Sequence, residues 1–199
     1  MVIHNDNPSF QLLVSTTEEL IQEKGCRQTT LQEIINRSGL SKGAIYHYVR
    51  SKDELFALIL QEKIEEINAS FLQTVEKAQC GDLLNPLSAI SSGLFQQAAK
   101  AQSVTNQIFI YLLSQQDKPE IKEILHNVFE YSIQTSMRWL NIGKQGGAIS
   151  ESLDVKKTAI FLMVMTYGLR VVNSLSSLSE EFGEEDLLAM MARVIGGLD

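Results

Sequence analysis

The residues best suited to bind another molecule lie close together in residues 41–52. Lys42 and His47 can donate hydrogen bonds to the edges of DNA bases. Gly43 and Ala44 between them are small enough to let a helix approach those bases closely. Phosphate oxygens could be bound by the hydroxyl groups of Tyr46 and Tyr48 and by the amino group of Lys52. This set predicts a short helix whose outer face contacts duplex DNA.

These side chains can act together only if the backbone presents them on one surface. Ser41 is a typical N-cap for a helix that would bury Ile45. Upstream, Thr30 and Glu33 have the spacing of a capping box, which would begin a shorter helix that ends near Gly39. Two short helices joined by a tight glycine turn are typical of a helix-turn-helix, whose second helix enters the major groove. An ordinary helical corner is the alternative.

Charge is distributed unevenly along the chain. The formal net charge is −7, yet residues 24–52, hereafter the basic region, contain six basic residues and one acidic residue. The basic residues are Lys24, Arg27, Arg37, Lys42, Arg50 and Lys52. A localised basic region on an acidic protein favours a local DNA contact over general affinity for polyanions. A solvated charged face is the alternative.

The segment of residues 29–56 closely resembles the N-terminal DNA-binding domain of the TetR family of transcriptional regulators. Its most specific parts are Gly-Ala-Ile-Tyr-His-Tyr at residues 43–48 and Ser-Lys-Asp-Glu-Leu at residues 51–55. The resemblance covers about residues 10–60. It differs at Val49, where many members carry phenylalanine, and this change should preserve the apolar packing.

The resemblance implies an N-terminal helix-turn-helix domain of three helices in residues 1–50. It also implies a six-helix domain for effector binding and dimerisation in residues 51–199. By position, it places five residues near base edges, namely Gln32, Lys42, Gly43, Ala44 and His47. It places four side chains near phosphates, namely Thr30, Tyr46, Tyr48 and Lys52.

Apolar periodicity and a proline count of three predict an all-α fold. The first helix should span residues 9–24 and stop at Gly25, followed by the two short helices and a long helix from Ser51 to about Gly81. Later helical segments are expected at residues 86–100, 103–115, 119–143, 154–177 and 184–196.

Segment 158–175 is apolar nearly all round, which predicts that one face meets its own domain and another meets a second subunit. A homodimer is also expected from the way DNA is recognised, because one short helix contacts too few base pairs to be specific. The alternative is a central core helix of a monomer. The apolar stretch 159–169 is shorter than the ~20 residues that cross a bilayer, so a buried helix is expected there and no membrane association.

Aromatic and flexible apolar residues could line an effector pocket, although residues of these types more often belong to the core. The candidates are Phe109, Tyr111, Phe129, Trp139, Met163 and Tyr167. Arg170 lies in an apolar segment and needs a partner, either an acidic side chain across the dimer interface or an anionic group of the effector.

No pair of residues has the spacing of a nucleophile and its base, and no Walker, Rossmann or nucleophile-elbow motif is present. His4, His47 and His126 show no ligand spacing with the two cysteines. We therefore expect no catalytic residue, metal or cofactor. The first residues lack the pattern of a secretory signal, so the cytoplasm is the expected compartment.

The residues and the resemblance together predict a homodimer that binds double-stranded DNA and a small-molecule effector of unknown identity. The expected function is that of a repressor released from a pseudo-palindromic operator when the effector occupies the C-terminal domain. The alternatives are a protein of the same fold without effector control, in an architectural or cell-division role, and a transcriptional activator.

Overall fold

A computed structural model of the chain describes residues 7–98, 103–175 and 181–196. In those residues the chain forms nine α-helices and no β-strand, which confirms the predicted all-α class. The helices are α1 Pro8–Gln28, α2 Leu31–Ser38, α3 Lys42–Tyr48, α4 Lys52–Lys77, α5 Leu84–Ala98, α6 Val104–Leu113, α7 Pro119–Gln145, α8 Val155–Leu175 and α9 Glu184–Gly196. The predicted segment ends at residues 100 and 177 lie outside the described residues.

The chain packs into two compact units. Unit 1 comprises the described residues up to Lys63 together with residues 104–128, and unit 2 comprises the other described residues. Helices α4 and α7 each contribute residues to both units. Fully buried core residues of unit 1 include Leu13, Ile34, Ile45, Phe56 and Ile108. Unit 1 thus contains the two short helices together with α6, and the domain boundary expected after residue 50 stays a prediction.

Local hydrogen bonds shape the α2–α3 pair as the sequence predicts. The Thr30 hydroxyl accepts a bond from the Glu33 amide at 3.3 Å, and the Glu33 carboxylate accepts one from the Thr30 amide at 3.1 Å. Helix α2 ends at Gly39, whose φ of 66° lies in the left-handed region that favours glycine. Ser41 then caps α3 by accepting a bond from the Ala44 amide at 3.2 Å.

The first helix is interrupted where the sequence predicts that it stops. Gly25 has a φ of 78° and a ψ of 164°, which are not helical values. One further turn follows, and Thr29 ends it by donating its amide to the Gly25 carbonyl oxygen at 3.2 Å.

Helix α8 exposes one apolar face in the single chain, and burial of that face against a second subunit stays a prediction. Val164 is 63% exposed and Phe161 is 48% exposed, whereas Leu162 and Met163 are buried. By length and composition alone, α8 is the one helix in the described segments that could cross a membrane, a test that core helices of soluble proteins also pass. It passes because Val171, Val172 and Leu175 follow residues 159–169 in the same helix.

Candidate nucleic-acid interface

Helix α3 presents the predicted outer face to solvent. Its inner side is held by Ile45 and Val49, which are 0% and 2% exposed. On its outer side, the exposed residues are Lys42, Gly43, Tyr46 and His47, with Ala44 half-buried beside them. A short helix with small residues at its start and donors around them can therefore approach the edges of base pairs.

The side chain of Tyr48 packs α3 against the first helix. Its half-buried ring lies 5.4 Å from the ring of Phe10 and 5.5 Å from the ring of His47, measured between centroids. These contacts stabilise the position of α3 on unit 1. The contact between the Tyr48 hydroxyl and a phosphate stays a prediction.

The two predicted contacts on α2 lie at the surface and have local partners. The Thr30 hydroxyl donates a hydrogen bond to Glu33 Oε2 at 2.8 Å as part of the cap. Gln32 is exposed, and its amide donates to Asn36 Oδ1 at 2.9 Å. Both side chains can exchange these surface bonds for DNA contacts without exposing any core.

The basic region is less positive in the folded protein than its composition suggests. Lys24 pairs with Glu33, and this bond, followed by the one from Thr30, lowers the pKa of Glu33 to about 2. Arg37 donates to Glu23 Oε1 at 2.6 Å, and that bond lowers the pKa of the Glu23 carboxyl. The exposed basic residues outside these pairs are Arg27, Lys42 and Arg50.

Lys52 is half-buried in unit 1, and its contact with a phosphate stays a prediction. Its amino group donates hydrogen bonds to three backbone carbonyl oxygens, those of Cys26 at 3.0 Å, Arg27 at 3.3 Å and Thr29 at 2.9 Å. These bonds can use all three of its donors. Burial lowers the pKa of the Lys52 ammonium. No local pattern around residue 52 signals this, because the partners lie 23 to 26 residues earlier.

The six candidate pocket residues are divided between the two units. Phe109 and Tyr111 belong to unit 1, and the Tyr111 hydroxyl donates to Asp53 Oδ1 at 3.1 Å. In unit 2, the rings of Phe129 and Tyr167 lie 6.3 Å apart. Met163 and Trp139 are buried in the same unit. An effector pocket lined by these residues stays a prediction.

Unit 2 contains a polar network that the sequence did not predict. Trp139 donates its indole hydrogen to Asn68 Oδ1 at 2.9 Å, and Asn68 donates to Glu65 Oε2 at 3.1 Å. Tyr131 donates its hydroxyl to the other oxygen of Glu65. Burial first, and the Glu65 carboxylate second, raise the pKa of Tyr131. Glu65 and Asn68 lie three positions apart on α4, but that helix carries many other polar residues, so no local pattern distinguishes this pair.

Arg170 is buried in unit 2, where it is 7% exposed. Its Nη2 donates to Gln97 Oε1 at 3.4 Å. Burial lowers the pKa of the guanidinium to about 10, and Tyr167 acts in the opposite direction. Three residues further along α8, Asn173 donates to the Ala98 carbonyl oxygen at 3.0 Å. The choice between an interface carboxylate and an anionic effector as a partner of Arg170 stays a prediction.

Metal-binding groups are not brought together in the described part of the chain. No three side chains of His, Cys, Asp or Glu cluster there in a way that could hold a metal ion. His4 lies outside the described residues.

Two short helices at a glycine turn, with an exposed second helix of this composition, define the class as helix-turn-helix DNA-binding proteins. Residues 13–59 match the family model described as "Bacterial regulatory proteins, tetR family". Residues 13–59 therefore form the DNA-binding domain of this family, and the chain is a DNA-binding transcriptional regulator.

Relatives of known sequence agree with this assignment. The chain is 23% identical over 150 residues to the fatty acid metabolism regulator protein of Bacillus subtilis, covering 75% of each chain. It is 21% identical over 163 residues to the HTH-type transcriptional regulator UidR of Escherichia coli, covering 81% of this chain and 80% of UidR.

Solved structures show the same fold at low sequence identity. GusR of Salmonella enterica is similar with a TM-score of 0.64 at 18% identity, and the alignment covers 96% of each chain. The fatty acid degradation regulator FadR from Bacillus halodurans is similar with a TM-score of 0.62 at 20% identity, covering 96% of this chain and 97% of FadR.

Proposed function

We propose that the protein is a homodimeric repressor that binds a pseudo-palindromic operator and leaves it when a small molecule occupies the C-terminal helices. The observation that carries the proposal is the exposed face of α3, with Lys42 and His47 beside the small residues Gly43 and Ala44. The regulator acts on DNA in the cytoplasm and performs no chemical step of its own.

The exposed face of α8 supports the dimer. Its apolar residues recur every three or four positions around an exposed glycine, which aligns them on one side of the helix. They are Ile160, Val164, Val171 and Leu175, with Gly168 between the two halves. No atom lies within 4 Å of the position that a Cβ on Gly168 would occupy, so another backbone can approach closely there. A second copy of the chain suits this face because a two-fold dimer matches a two-fold operator.

Release from the operator requires the effector to prefer one conformation. Moving occupancy from nearly full to nearly empty needs about 5.5 kcal/mol of differential affinity between the two conformations. Helix α4 is a candidate for transmitting this preference because it contributes residues to both units.

The DNA-binding half of the proposal is tested with sequences selected from random DNA by the purified protein. Lys42→Ala and His47→Ala should each weaken binding to the selected operator by about 1–3 kcal/mol, because each removes a donor to a base edge. Affinity is measured by fluorescence anisotropy. The matched controls Lys77→Ala and His126→Ala alter exposed residues on α4 and α7 and should bind as the wild type does. Wild-type affinity in both α3 variants would contradict base reading by this helix.

The proposed response to a small molecule is tested first with fatty acids, since two similar proteins are named as regulators of fatty acid metabolism and degradation. Arg170 offers a buried cation that could pair with a carboxylate. Decanoic acid at one hundred times its dissociation constant should stabilise the protein by about 2.7 kcal/mol, read as a thermal shift. It should also weaken operator binding.

Decylamine, with the same alkyl chain and opposite charge, is the control and should produce neither effect. Stabilisation by the amine as well would indicate binding to apolar surface alone. If a broad panel of small molecules leaves both melting and operator affinity unchanged, the alternative of a DNA-binding protein without effector control is favoured.

A further inference from the structure

Helix α8 turns a row of buried residues toward its own unit, on the side away from its exposed apolar face. Arg170 and Asn173 are 7% and 4% exposed, and they continue this row at intervals of three and four residues. The row is Ala159, Met163, Thr166, Arg170 and Asn173. A second subunit on the face that contains Val164 and Gly168 would therefore lie on the other side of the helix, away from Arg170.

The two last residues of this row contact the end of α5. The Arg170 guanidinium donates a hydrogen bond to Gln97 Oε1 at 3.4 Å. The amide nitrogen of Asn173 donates to the carbonyl oxygen of the next residue, Ala98, at 3.0 Å. All four residues belong to unit 2, so a buried cation and a buried amide lie one turn apart on α8 beside the same end of α5.

Tyr167 adds a hydroxyl group close to the guanidinium, one turn earlier on α8. Burial raises the pKa of this hydroxyl, while a hydrogen bond from Ser132 on α7 and the charge of Arg170 act in the opposite direction. Ser132 is itself buried and belongs to the same unit. Hydrogen-bonding side chains from α5, α7 and α8 therefore surround the cation within unit 2.

Asn173 has one buried atom without a partner. Only the nitrogen of its amide can donate to the Ala98 carbonyl, and this orientation leaves Oδ1 as an acceptor. That oxygen is buried and accepts no hydrogen bond from the described residues. A buried polar atom without a partner is uncommon in a folded protein, and a bound molecule that donates a hydrogen bond would satisfy it.

A ligand that suits both residues carries two groups. A carboxylate offsets the cost of burying the charge of Arg170, whose five N–H donors can bind it alongside other partners. The Asn173 oxygen needs a donor, which a hydroxyl group beside the carboxylate supplies. An ammonium group would also donate, but its positive charge close to Arg170 opposes binding. A simple fatty acid pairs with the cation and leaves the acceptor buried and unpaired.

We propose that the effector is a hydroxy acid, whose carboxylate binds Arg170 and whose neighbouring hydroxyl group donates a hydrogen bond to Asn173 Oδ1. This inference rests on the proposed function, since it identifies the class of small molecule that the C-terminal helices bind. Arg170 selects the charge of the ligand, and Asn173 selects its hydroxyl group.

Two acids that differ by one hydroxyl group test the role of Asn173. β-Hydroxydecanoic acid should bind the wild type roughly 10-fold more tightly than decanoic acid, because its hydroxyl group pairs with the buried acceptor. Calorimetry measures both affinities. Asn173→Leu should bind the two acids equally. Asn68→Leu removes another buried amide of unit 2, whose oxygen already accepts a bond from Trp139, and this control should keep the preference.

The role of Arg170 is tested by removing its charge. Arg170→Met should bind both acids at least roughly 10-fold more weakly, because each loses a charge-assisted pair. Arg138→Met removes an exposed arginine of α7 and is the charge-matched control, which should bind both acids as the wild type does.

Equal affinity of the wild type for the two acids would overturn the proposal, and this comparison needs no variant to fold. A preference that persists in Asn173→Leu would also overturn it, as would the absence of binding by either acid. In each of these cases the proposed function stands if another small molecule releases the operator. Failure of the proposed function looks different, because the wild type would then show no preference for an operator or would keep it with every ligand.

Discussion

Val164→Arg should give a folded monomer that no longer binds the operator tightly. Val164 is 63% exposed, and arginine is a better helix former than valine, so the subunit should lose no stability. In a two-fold dimer, the change places two like charges in one apolar interface, which opposes association. Sedimentation measures the loss of the dimer. Operator affinity should fall roughly 10³-fold, toward the level of non-specific binding.

The control for this experiment is an arginine at a similarly exposed apolar position away from α8. Leu84, at the start of α5, is 59% exposed, and Leu84→Arg should leave both dimer and operator affinity unchanged. If Val164→Arg sediments as a dimer, the α8 face is not the subunit interface. If both variants are monomers, the interface is wider than proposed.

Gly43→Leu should separate stability from DNA binding, with opposite effects on the two. Apart from its own helix, no atom lies within 4 Å of the position of a Cβ on Gly43, and the residue is exposed, so a side chain can extend from there into solvent. Replacing a helical glycine removes backbone freedom from the unfolded chain, and stability should stay equal or rise by up to about 1 kcal/mol. Against DNA, the added side chain prevents close approach to the bases, and operator affinity should fall roughly 100-fold.

Thermal unfolding and operator titration on the same preparation measure both effects. Gly43→Ala should give a smaller loss of affinity, because a methyl group occupies less of the space between helix and bases. Gln22→Leu adds an apolar side chain at an exposed position of α1 and should bind normally. Wild-type operator affinity in Gly43→Leu would mean that the start of α3 does not approach the base pairs.

The helix-turn-helix was predictable because its signals are local. A capping box joins residues three apart, a left-handed glycine ends a helix, and an N-cap begins the next one. Each of these depends on backbone geometry within one turn, and each is found at the predicted residue, at Thr30, Gly39 and Ser41. The helix bounds follow for the same reason, since apolar spacing reports which side of each helix is buried.

The electrostatics of the interface were not predictable, because they depend on which residues the fold brings together. The bond between Lys24 and Glu33 joins α1 to α2, as does the one between Glu23 and Arg37. A count of charges along residues 24–52 treats all of these cations as available. In the folded protein, two are paired with carboxylates and Lys52 is turned inward.

The apolar helix α8 shows the same division. Its composition is apolar on every side, so periodicity cannot separate the face against its own unit from the face in solvent. Packing makes that choice, and it leaves Val164 outside while it buries Met163. Local sequence patterns specified the nine helices of the described residues and the recognition motif, because caps and turns need only neighbouring residues. The partners of each charge and the exposed face of each apolar helix arose from contacts between distant segments, whose geometry no local pattern encodes.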